Sequence, residues 1–320
     1  MEEREGPLGL AVSGGPDSLA MLLLAACAIS DPELIAVASV DHGLRAEAAG
    51  EVALVEALCA QLGVAFTPLT VELGPGNVQA RAREARYAAL REWAEAGGIP
   101  AIATAHHADD QAETLLMRLA RGSGLAGLAG VRDASLLPDS GVELLRPLLG
   151  FRKAELEAVL ASAGVTPARD PSNANPAFDR VRVREHLADH DWLDAQALAA
   201  SAGHLGEALR ALEWYAELDW EEMVALEEGG EDGDAPGGPV YRYYANVPRV
   251  IQIETVSRIV EALGGRVTRA EAGRAADRLW AGENASLGGV LAVPSTEPME
   301  GTPLHWRVWR FRPEPQRRVH

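Results

Sequence analysis

The segment Ser13-Gly14-Gly15-Pro16-Asp17-Ser18 lies between a short apolar run, Leu8–Val12, and a helical pattern. Glycines at such a junction allow positive φ angles and a close approach of the backbone to a ligand. The N–H groups at the start of the next helix then favour a bound phosphate. We expect Asp17 to hold Mg²⁺ on that phosphate. The alternative is a plain turn with Asp17 or Ser18 as the N-cap, which the ordered Ser-Gly-Gly-x-Asp-Ser pattern disfavours. The predicted phosphate-binding residues are Ser13, Gly14, Gly15, Pro16, Asp17 and Ser18.

Three polar residues, His106, Asp110 and Glu113, are spaced four and three positions apart after an apolar run. This spacing places them on one face at the start of a helix. Their carboxylates could hold an amine substrate, which must lose a proton before it can react because a lysine amine has a pKa of about 10.4. A zinc site on His106, His107 and Asp110 is a weaker alternative, because the histidines lie in a loop before the helix and there is only one plausible third ligand. A solvated polar first turn is the third alternative.

Two groups of arginines could bind phosphates. Arg81, Arg83 and Arg86 share one predicted helix, and Arg180, Arg182 and Arg184 recur at every second residue. A period of two predicts that the second group lies on one side of an extended segment. A solvated surface is the alternative for either group, but two such groups in an acidic protein favour phosphate contact.

The elements that would position these residues follow from the pattern of the chain. Over the first 170 residues, short apolar runs alternate with helical periods, which predicts βαβ units in a doubly wound, mainly parallel α/β sheet. Ligands of such sheets bind at the carboxyl ends of the strands. The predicted domains are an α/β domain at 1–184, a helical connector at 185–226, an acidic Gly- and Pro-rich linker at 227–239 and a small α+β domain at 240–320.

Composition excludes several classes of protein. The chain has 320 residues, 29 Lys+Arg against 47 Asp+Glu and a net charge of −18, which disfavours a general nucleic-acid binder. Lys153 is the only lysine and lies in a helical pattern, which disfavours a Walker A loop and lysine Schiff-base chemistry. Two cysteines do not make a disulfide framework. The longest apolar run, Leu19–Ile29, has 11 residues, and the N-terminus does not resemble a signal peptide. We therefore expect a cytoplasmic protein with no membrane association.

The hexapeptide Ser13–Ser18 resembles the PP-loop of the N-type ATP pyrophosphatases. Further segments are similar to one branch of that superfamily, the tRNA(Ile)-lysidine synthetases. These segments are Val40–Arg45, Gln79–Tyr87, Thr104–Val131, Asp170–Asn173, Arg180–Arg184 and, more weakly, Ser286–Gly289. The chain departs from the family at Val181, where Asn is more usual. The resemblance is strong over about residues 8–190 and weak after 240.

This resemblance implies a ligase that forms a C–N bond, with ATP and Mg²⁺ as cofactors. It would attach L-lysine to carbon 2 of the wobble cytidine of tRNA(Ile) with a CAU anticodon. The reaction would pass through an adenylated cytidine and yield lysidine, AMP and pyrophosphate. A homodimer is also an expectation. The implied catalytic residues are Asp17, Arg86, His106 and Arg184, with Asp17 on magnesium. Lysine would be bound by Asp110 and Glu113, and tRNA by Arg81, Arg121, Arg180 and Arg182.

Two alternatives to a lysidine synthetase stay open on the sequence alone. One is another PP-loop adenylating enzyme, a tRNA thiolase or an amide synthetase. Thiolases of the superfamily generally use paired cysteines, whereas Cys27 and Cys59 lie in separate apolar helical runs. The other is a nucleotide- or tRNA-binding module without turnover, against which the presence of Asp17, Asp110 and Glu113 argues.

Overall fold

The computed structural model describes residues 6–41, 48–71, 78–168, 179–190, 192–227, 238–299 and 301–314. The chain divides into two compact units, Met1–Glu207 and Ala208–His320. Most of the predicted linker at 227–239 lies outside the described residues, as do most of Val40–Arg45 and all of Asp170–Asn173.

The first unit contains one sheet and the helices that cover it. Its strands are β1 (Leu8–Ala11), β2 (Ile35–Asp41), β3 (Ala65–Thr70), β4 (Ala101–Ala103), β5 (Ala134–Leu136) and β6 (Glu143–Leu145). Its helices are α1 (Pro16–Ala28), α2 (Ala48–Leu62), α3 (Val78–Ala96), α4 (Ala108–Ala120), α5 (Leu125–Leu128), α6 (Lys153–Ala163) and α7 (Asp179–Asp189). The strand order is β3-β2-β1-β4-β6-β5, and every pairing is parallel except that of β5 with β6.

Helices cover both faces of this sheet. Successive residues of a strand point to opposite faces, and those of β2 accordingly enter two different cores. Val37 packs with Leu19 of α1, whereas Ala38 packs with Leu90 of α3. The predicted doubly wound α/β fold is therefore confirmed.

The strand order brings two loops together at one edge of the sheet. β1 pairs with β4 in parallel, so the segments that follow them, which begin at Val12 and Thr104, leave the sheet side by side. Connections from β1 lead to β2 on one side and from β4 to β6 on the other. Such a switch point opens a crevice at the carboxyl ends of the strands. The predicted phosphate loop and His106 thus share one crevice.

The long helix α8 (Ala195–Met223) is followed by a strand rather than by more helix. Residues 184–226 had a nearly all-helical pattern, but Val224–Glu227 forms β7 and pairs antiparallel with β8 (Val240–Tyr244). This pairing satisfies backbone groups that local helix propensity alone would place in a helix. In the described part of the chain no helix is long and apolar enough to cross a membrane.

The second unit is an antiparallel sheet packed against two helices. Its remaining elements are α9 (Arg249–Ala262), α10 (Arg269–Trp280), β9 (Ala285–Leu287), β10 (Val290–Pro298) and β11 (His305–Pro313). The strand order is β7-β8-β11-β10-β9. Trp309 is buried and meets Tyr243 edge to face at 5.8 Å between ring centroids. Trp309 therefore belongs to the core of this unit and not to an exposed surface.

Asp219 of α8 is a carboxyl group buried in the second unit. Thr255 Oγ1 donates to its Oδ2 at 2.9 Å. The other oxygen, Oδ1, and the hydroxyl of Tyr243 are buried and have no hydrogen-bond partner among the described residues. Burial raises the pKa of Asp219, and the nearby hydroxyls of Thr255 and Tyr243 only partly offset this rise.

We expect Asp219→Asn to stabilise the protein at neutral pH. A carboxyl whose folded-state pKa is raised stabilises the fold below its unfolded pKa, and this contribution is lost as the pH rises through the folded pKa. An asparagine escapes this loss and brings an N–H donor towards Tyr243. Urea denaturation should show a free energy of unfolding higher by about 1 kcal/mol at pH 7.5, and a smaller gain at pH 4. Glu222→Gln, on an exposed site of the same helix, is the control, and a less stable Asn variant at pH 7.5 would contradict the prediction.

Candidate active site

The loop between β1 and α1 has the geometry of an anion nest. Gly14 has a φ of +81°, and a Cβ there would lie 3.1 Å from the carbonyl oxygen of Glu51. Gly15 is the N-cap of α1 and bears no side-chain cap. Ser18 Oγ instead accepts from the N–H of Ser13 at 3.1 Å and donates to the carbonyl of Gly15 at 3.1 Å. Because neither Ser18 nor Asp17 caps the helix, the N–H groups of its first turn stay available to an anion.

Asp17 lies in the first turn of α1 beside this nest. Its Oδ1 is buried and has no hydrogen-bond partner among the described residues. Its Oδ2 lies 3.6 Å from Nε2 of His107. An unused carboxylate oxygen next to a phosphate site fits Mg²⁺, which proteins commonly hold through one or two carboxylates together with substrate phosphates.

His107 connects Asp17 to the start of α4, a role that the sequence did not reveal. It is the N-cap of α4 and only 4% exposed. Its Nε2 lies 3.6 Å from Oδ2 of both Asp17 and Asp110, and its Nδ1 lies 3.6 Å from Oδ2 of Asp109. Burial by itself lowers the pKa of His107, but the surrounding carboxylates raise it to about 10. The imidazolium therefore holds the carboxylates of Asp17, Asp109 and Asp110 together. The sequence indicated this role only through a second histidine after an apolar strand.

His106 has the opposite electrostatic character. Its Nδ1 lies 3.1 Å from Thr104 Oγ1. Burial lowers its pKa to about 4, and the charges of Arg146, Arg83 and Arg86 act in the same direction against the raising effect of Asp110. The ring is therefore a neutral imidazole at pH 7, and it can accept a proton only from a strong acid or in the course of a reaction.

Asp110 and Glu113 share one face of α4 but have different environments. Asp110 Oδ2 accepts from the N–H of His107 at 3.1 Å, and its side chain is 18% exposed. Glu113 is fully buried, and its Oε1 accepts from Nε of Arg184 at 2.7 Å. Glu113 Oε2 has no hydrogen-bond partner in the described ranges. Of the two carboxylates, only Asp110 is open to a ligand in this state.

The alternating arginines lie on a helix, so the prediction of an extended segment was wrong. They belong to α7, which packs against α4. On a helix, residues four apart share a face, whereas residues two apart do not. Arg180 and Arg184 accordingly meet α4, where Arg180 lies 3.4 Å from Thr114 Oγ1. Arg182 points elsewhere and pairs with Asp179.

Of the other predicted arginines, only Arg86 faces the crevice. Arg121 follows α4 and donates to Asp179 at 2.9 Å, so that Asp179 holds both Arg121 and Arg182. Arg81 is exposed on α3. Arg86 lies on the same helix and faces the crevice.

The crevice is a cavity of about 450 Å³, a volume typical of small-molecule sites. Many of the predicted site residues line it. The predicted residues that do not line it are Gly14, Glu113, Arg184, Arg81, Arg121 and Arg182. The predicted residues that line it are Ser13, Gly15, Pro16, Asp17, Ser18, Arg86, His106, Asp110 and Arg180. Its apolar wall, formed by Ala38, Val40 and Leu90, was not predicted. That wall comes from strand ends and a helix that only the folded sheet brings together.

Neither zinc nor sulfur chemistry finds support in the geometry. Within the described ranges, no group of three or more His, Cys, Asp or Glu is arranged to hold a metal ion. Cys27 and Cys59 are both free thiols, one exposed and the other buried. Burial raises the pKa of Cys59 to about 11, which keeps its thiol protonated and unreactive.

Comparison with known proteins agrees with this geometry. A family model described as a PP-loop domain matches residues 2–191. A tRNA(Ile)-lysidine synthase of Novosphingobium aromaticivorans is 46% identical over 316 residues, which cover 98% of this chain and 90% of that protein. The enzyme of the same name from Zymomonas mobilis is 48% identical over 213 residues, 65% of this chain and 64% of the relative. Among solved structures, a U34-tRNA thiolase of Methanococcus maripaludis has a similar fold, with a TM-score of 0.52 and 16% identity over 64% of this chain and 73% of its own.

Proposed function

The chain belongs to the tRNA(Ile)-lysidine synthases, PP-loop ligases that form a C–N bond, and we propose how its residues carry out ATP-dependent lysidine formation on tRNA(Ile). The observation that supports the proposal best is that the phosphate nest, Asp17 and Asp110 line one cavity. This arrangement supports adjacent sites for ATP and for an amine. We place this reaction in the cytoplasm, and a homodimer stays a prediction.

ATP would bind with its phosphates in the nest and its base against the apolar wall. The first-turn N–H groups of α1 and the hydroxyls of Ser13 and Ser18, which lie 3.2 Å apart, would contact the phosphates. Ala38, Val40 and Leu90 offer an apolar surface to adenine. Asp17 would hold Mg²⁺, which would neutralise negative charge on the phosphates.

In the first step, the carbonyl oxygen of the wobble cytidine attacks the α-phosphate of ATP and pyrophosphate leaves. Arg86 and Arg180 face the cavity, where their charges would stabilise phosphate oxygens as negative charge shifts onto the leaving group. Arg184 would act from the adjacent face of α7, held in place by Glu113. The adenylated cytidine has an electrophilic carbon 2, because AMP is a good leaving group.

In the second step, the side-chain amine of L-lysine attacks carbon 2 and AMP departs. Asp110 is open to the cavity and would bind the ammonium group. Glu113 is buried in this structure, so its unpartnered Oε2 would become a second acceptor only once bound lysine opens a path to it. Only the neutral amine can attack, so the ammonium group would first lose a proton, which Asp110 would accept. The neutral ring of His106 lines the same cavity and would take up the second proton, which leaves the nitrogen as the C–N bond forms. The exposed Arg81, Arg121 and Arg182, together with Arg180, would contact the tRNA backbone.

The proposed function is tested by an assay of lysine transfer to tRNA. Purified protein is incubated with ATP, Mg²⁺, labelled lysine and an isoleucine tRNA transcript with a CAU anticodon. Label on the tRNA, together with one AMP and one pyrophosphate per lysine, is expected. A methionine tRNA transcript with the same anticodon is the matched control. Unlabelled tRNA, beside a known synthase that works under the same conditions, would refute the proposal.

Glu113→Ala should raise the KM for lysine by about 10-fold or more, since a hydrogen bond to a charged group contributes about 1.5–3 kcal/mol. Pyrophosphate release should fall by a smaller factor, because Arg184 loses the carboxylate that holds it but keeps its charge. The measurement compares lysine titrations with tRNA-dependent pyrophosphate release, and Glu157→Ala on an exposed site of α6 is the control. An unchanged lysine KM would leave Glu113 only its role as the partner of Arg184.

A further inference from the structure

A second cavity of about 590 Å³ lies on the other side of α3, between that helix and the β5–β6 hairpin. Its size is typical of sites for small ligands or single nucleotides. None of the roles proposed above uses it. The residues of its floor, its wall and its rim differ in polarity and charge. Together they indicate which class of ligand would fit.

The floor is the guanidinium of Arg146, at the carboxyl end of β6. Arg146 is only 8% exposed. Its Nη1 donates to the carbonyl of Arg132 at 2.6 Å and lies 3.3 Å from Ser135 Oγ. Its Nε is buried and has no hydrogen-bond partner among the described residues. A buried donor without a partner costs about 1–3 kcal/mol, so a ligand that accepts from it would gain by doing so.

The wall adjoining this donor is Tyr87 of α3. Its hydroxyl is also buried and has no well-aligned hydrogen-bond partner in the described part of the chain. This hydroxyl lies within hydrogen-bonding reach of the Arg146 guanidinium. The guanidinium of Arg83 lies 4.9 Å from the centre of the Tyr87 ring. The Tyr87 hydroxyl and the Arg146 guanidinium thus lie together at the closed end of the cavity, where a ligand could accept from both.

The lining near the rim combines cations with apolar surface, and it also includes the acidic residues Glu84 and Asp139. Arg83 lies at one edge, and Arg91 donates to the carbonyl of Pro138 at 3.4 Å. Leu136, with Pro138 beside it, is 62% exposed at the mouth. A planar apolar ligand with acceptors on its inner edge and a negative charge outside fits this arrangement, and a nucleotide has all three features.

We propose that this second cavity binds a nucleotide adjacent to the target cytidine in the RNA substrate. Arg146 and Tyr87 would donate to the edge of its base, and Arg83 and Arg91 would contact its phosphates. α3 carries Arg86 into the first cavity and Tyr87 into the second, so consecutive nucleotides can reach both. The inference rests on the proposed function, because that function supplies the RNA, and it assigns to this site a part in reading the anticodon loop.

The experiment measures binding of fluorescent anticodon stem-loops to the whole protein, without ATP. The loops are the natural sequence and two versions in which a base next to the target cytidine is replaced by an abasic residue. The wild-type protein should bind one of the two abasic loops about 10-fold more weakly than the natural loop. This is the loss of affinity expected when one stacked and hydrogen-bonded base is removed. Tyr87→Phe, which keeps the ring, and Arg91→Ala should bind the natural loop several-fold more weakly and discriminate less against that abasic loop.

The controls are Tyr215→Phe and Arg274→Ala, which make the same changes at exposed sites in the second unit and should behave as the wild type. The KM for ATP should not change in Tyr87→Phe. Full discrimination retained by both cavity variants, or a raised KM for ATP in Tyr87→Phe, would overturn the assignment. Failure of the wild-type protein to make lysidine would refute the proposed function instead, whereas the binding comparison would still decide the second cavity.

Discussion

We expect Asp17→Ala to slow lysidine formation by about 10³-fold or more, with equal loss of AMP and pyrophosphate release. The oxygen Oδ1 of Asp17 is buried beside the phosphate nest with no hydrogen-bond partner among the described residues. A metal ion that this carboxylate holds would contribute several kcal/mol to stabilising charge on the phosphates in the transition state. A loss of about 4 kcal/mol corresponds to the stated factor.

Two variants separate this effect from damage to the fold. Asp17→Asn keeps the size of the side chain and should be nearly as inactive, because it loses the charge. Glu56→Ala removes an exposed carboxylate from α2 and should retain full activity. Thermal unfolding of all three proteins should be similar to that of the wild type. Retention of a tenth of the wild-type rate by Asp17→Ala at saturating Mg²⁺ would remove Asp17 from the metal site.

Local patterns were sufficient to predict the elements around this loop. The helices Ala108–Ala120, Lys153–Ala163 and Arg269–Trp280 lie where the chain has a helical period. Each is specified by its own apolar period and by residues at its ends, such as Thr268 and Glu271, which form a capping box at α10. These signals need no knowledge of the rest of the chain.

Features that depend on neighbouring elements were not visible in the sequence. The alternating arginines fit an extended segment, but they form α7, where contacts of Arg180 and Arg184 with α4 favour the helix. Likewise, nothing in the sequence places His107 3.6 Å from Asp17, because that distance depends on the pairing of β1 with β4. Sequence patterns thus predicted which residue types the site contains, whereas the contacts between those side chains depend on the fold.

The ion pair between Glu113 of α4 and Arg184 of α7 contributes both to stability and to the proposed catalysis. We therefore expect Arg184→Ala to lower the free energy of unfolding and the rate of pyrophosphate release. Glu113 is fully buried, so loss of Arg184 leaves a carboxylate without its partner in the protein interior. Breaking such a pair costs about 3 kcal/mol, the low end of the usual range, since Arg184 is itself partly exposed. Urea denaturation should show this loss. If Arg184 also stabilises phosphate charge, the rate of pyrophosphate release should fall by about 100-fold or more.

The double variant Glu113→Gln/Arg184→Ala separates the two roles. Glutamine has the shape of glutamate without its charge, so removal of Arg184 no longer strands a buried anion. The free energy of unfolding of the double variant should therefore lie within about 1 kcal/mol of Glu113→Gln alone. Pyrophosphate release should stay as slow as in Arg184→Ala, because no cation has been restored to the site. If the double variant recovers both its stability and its rate, Arg184 serves only as the counterion of Glu113, and the phosphate charge must be stabilised by Arg86 and Arg180, which face the cavity directly.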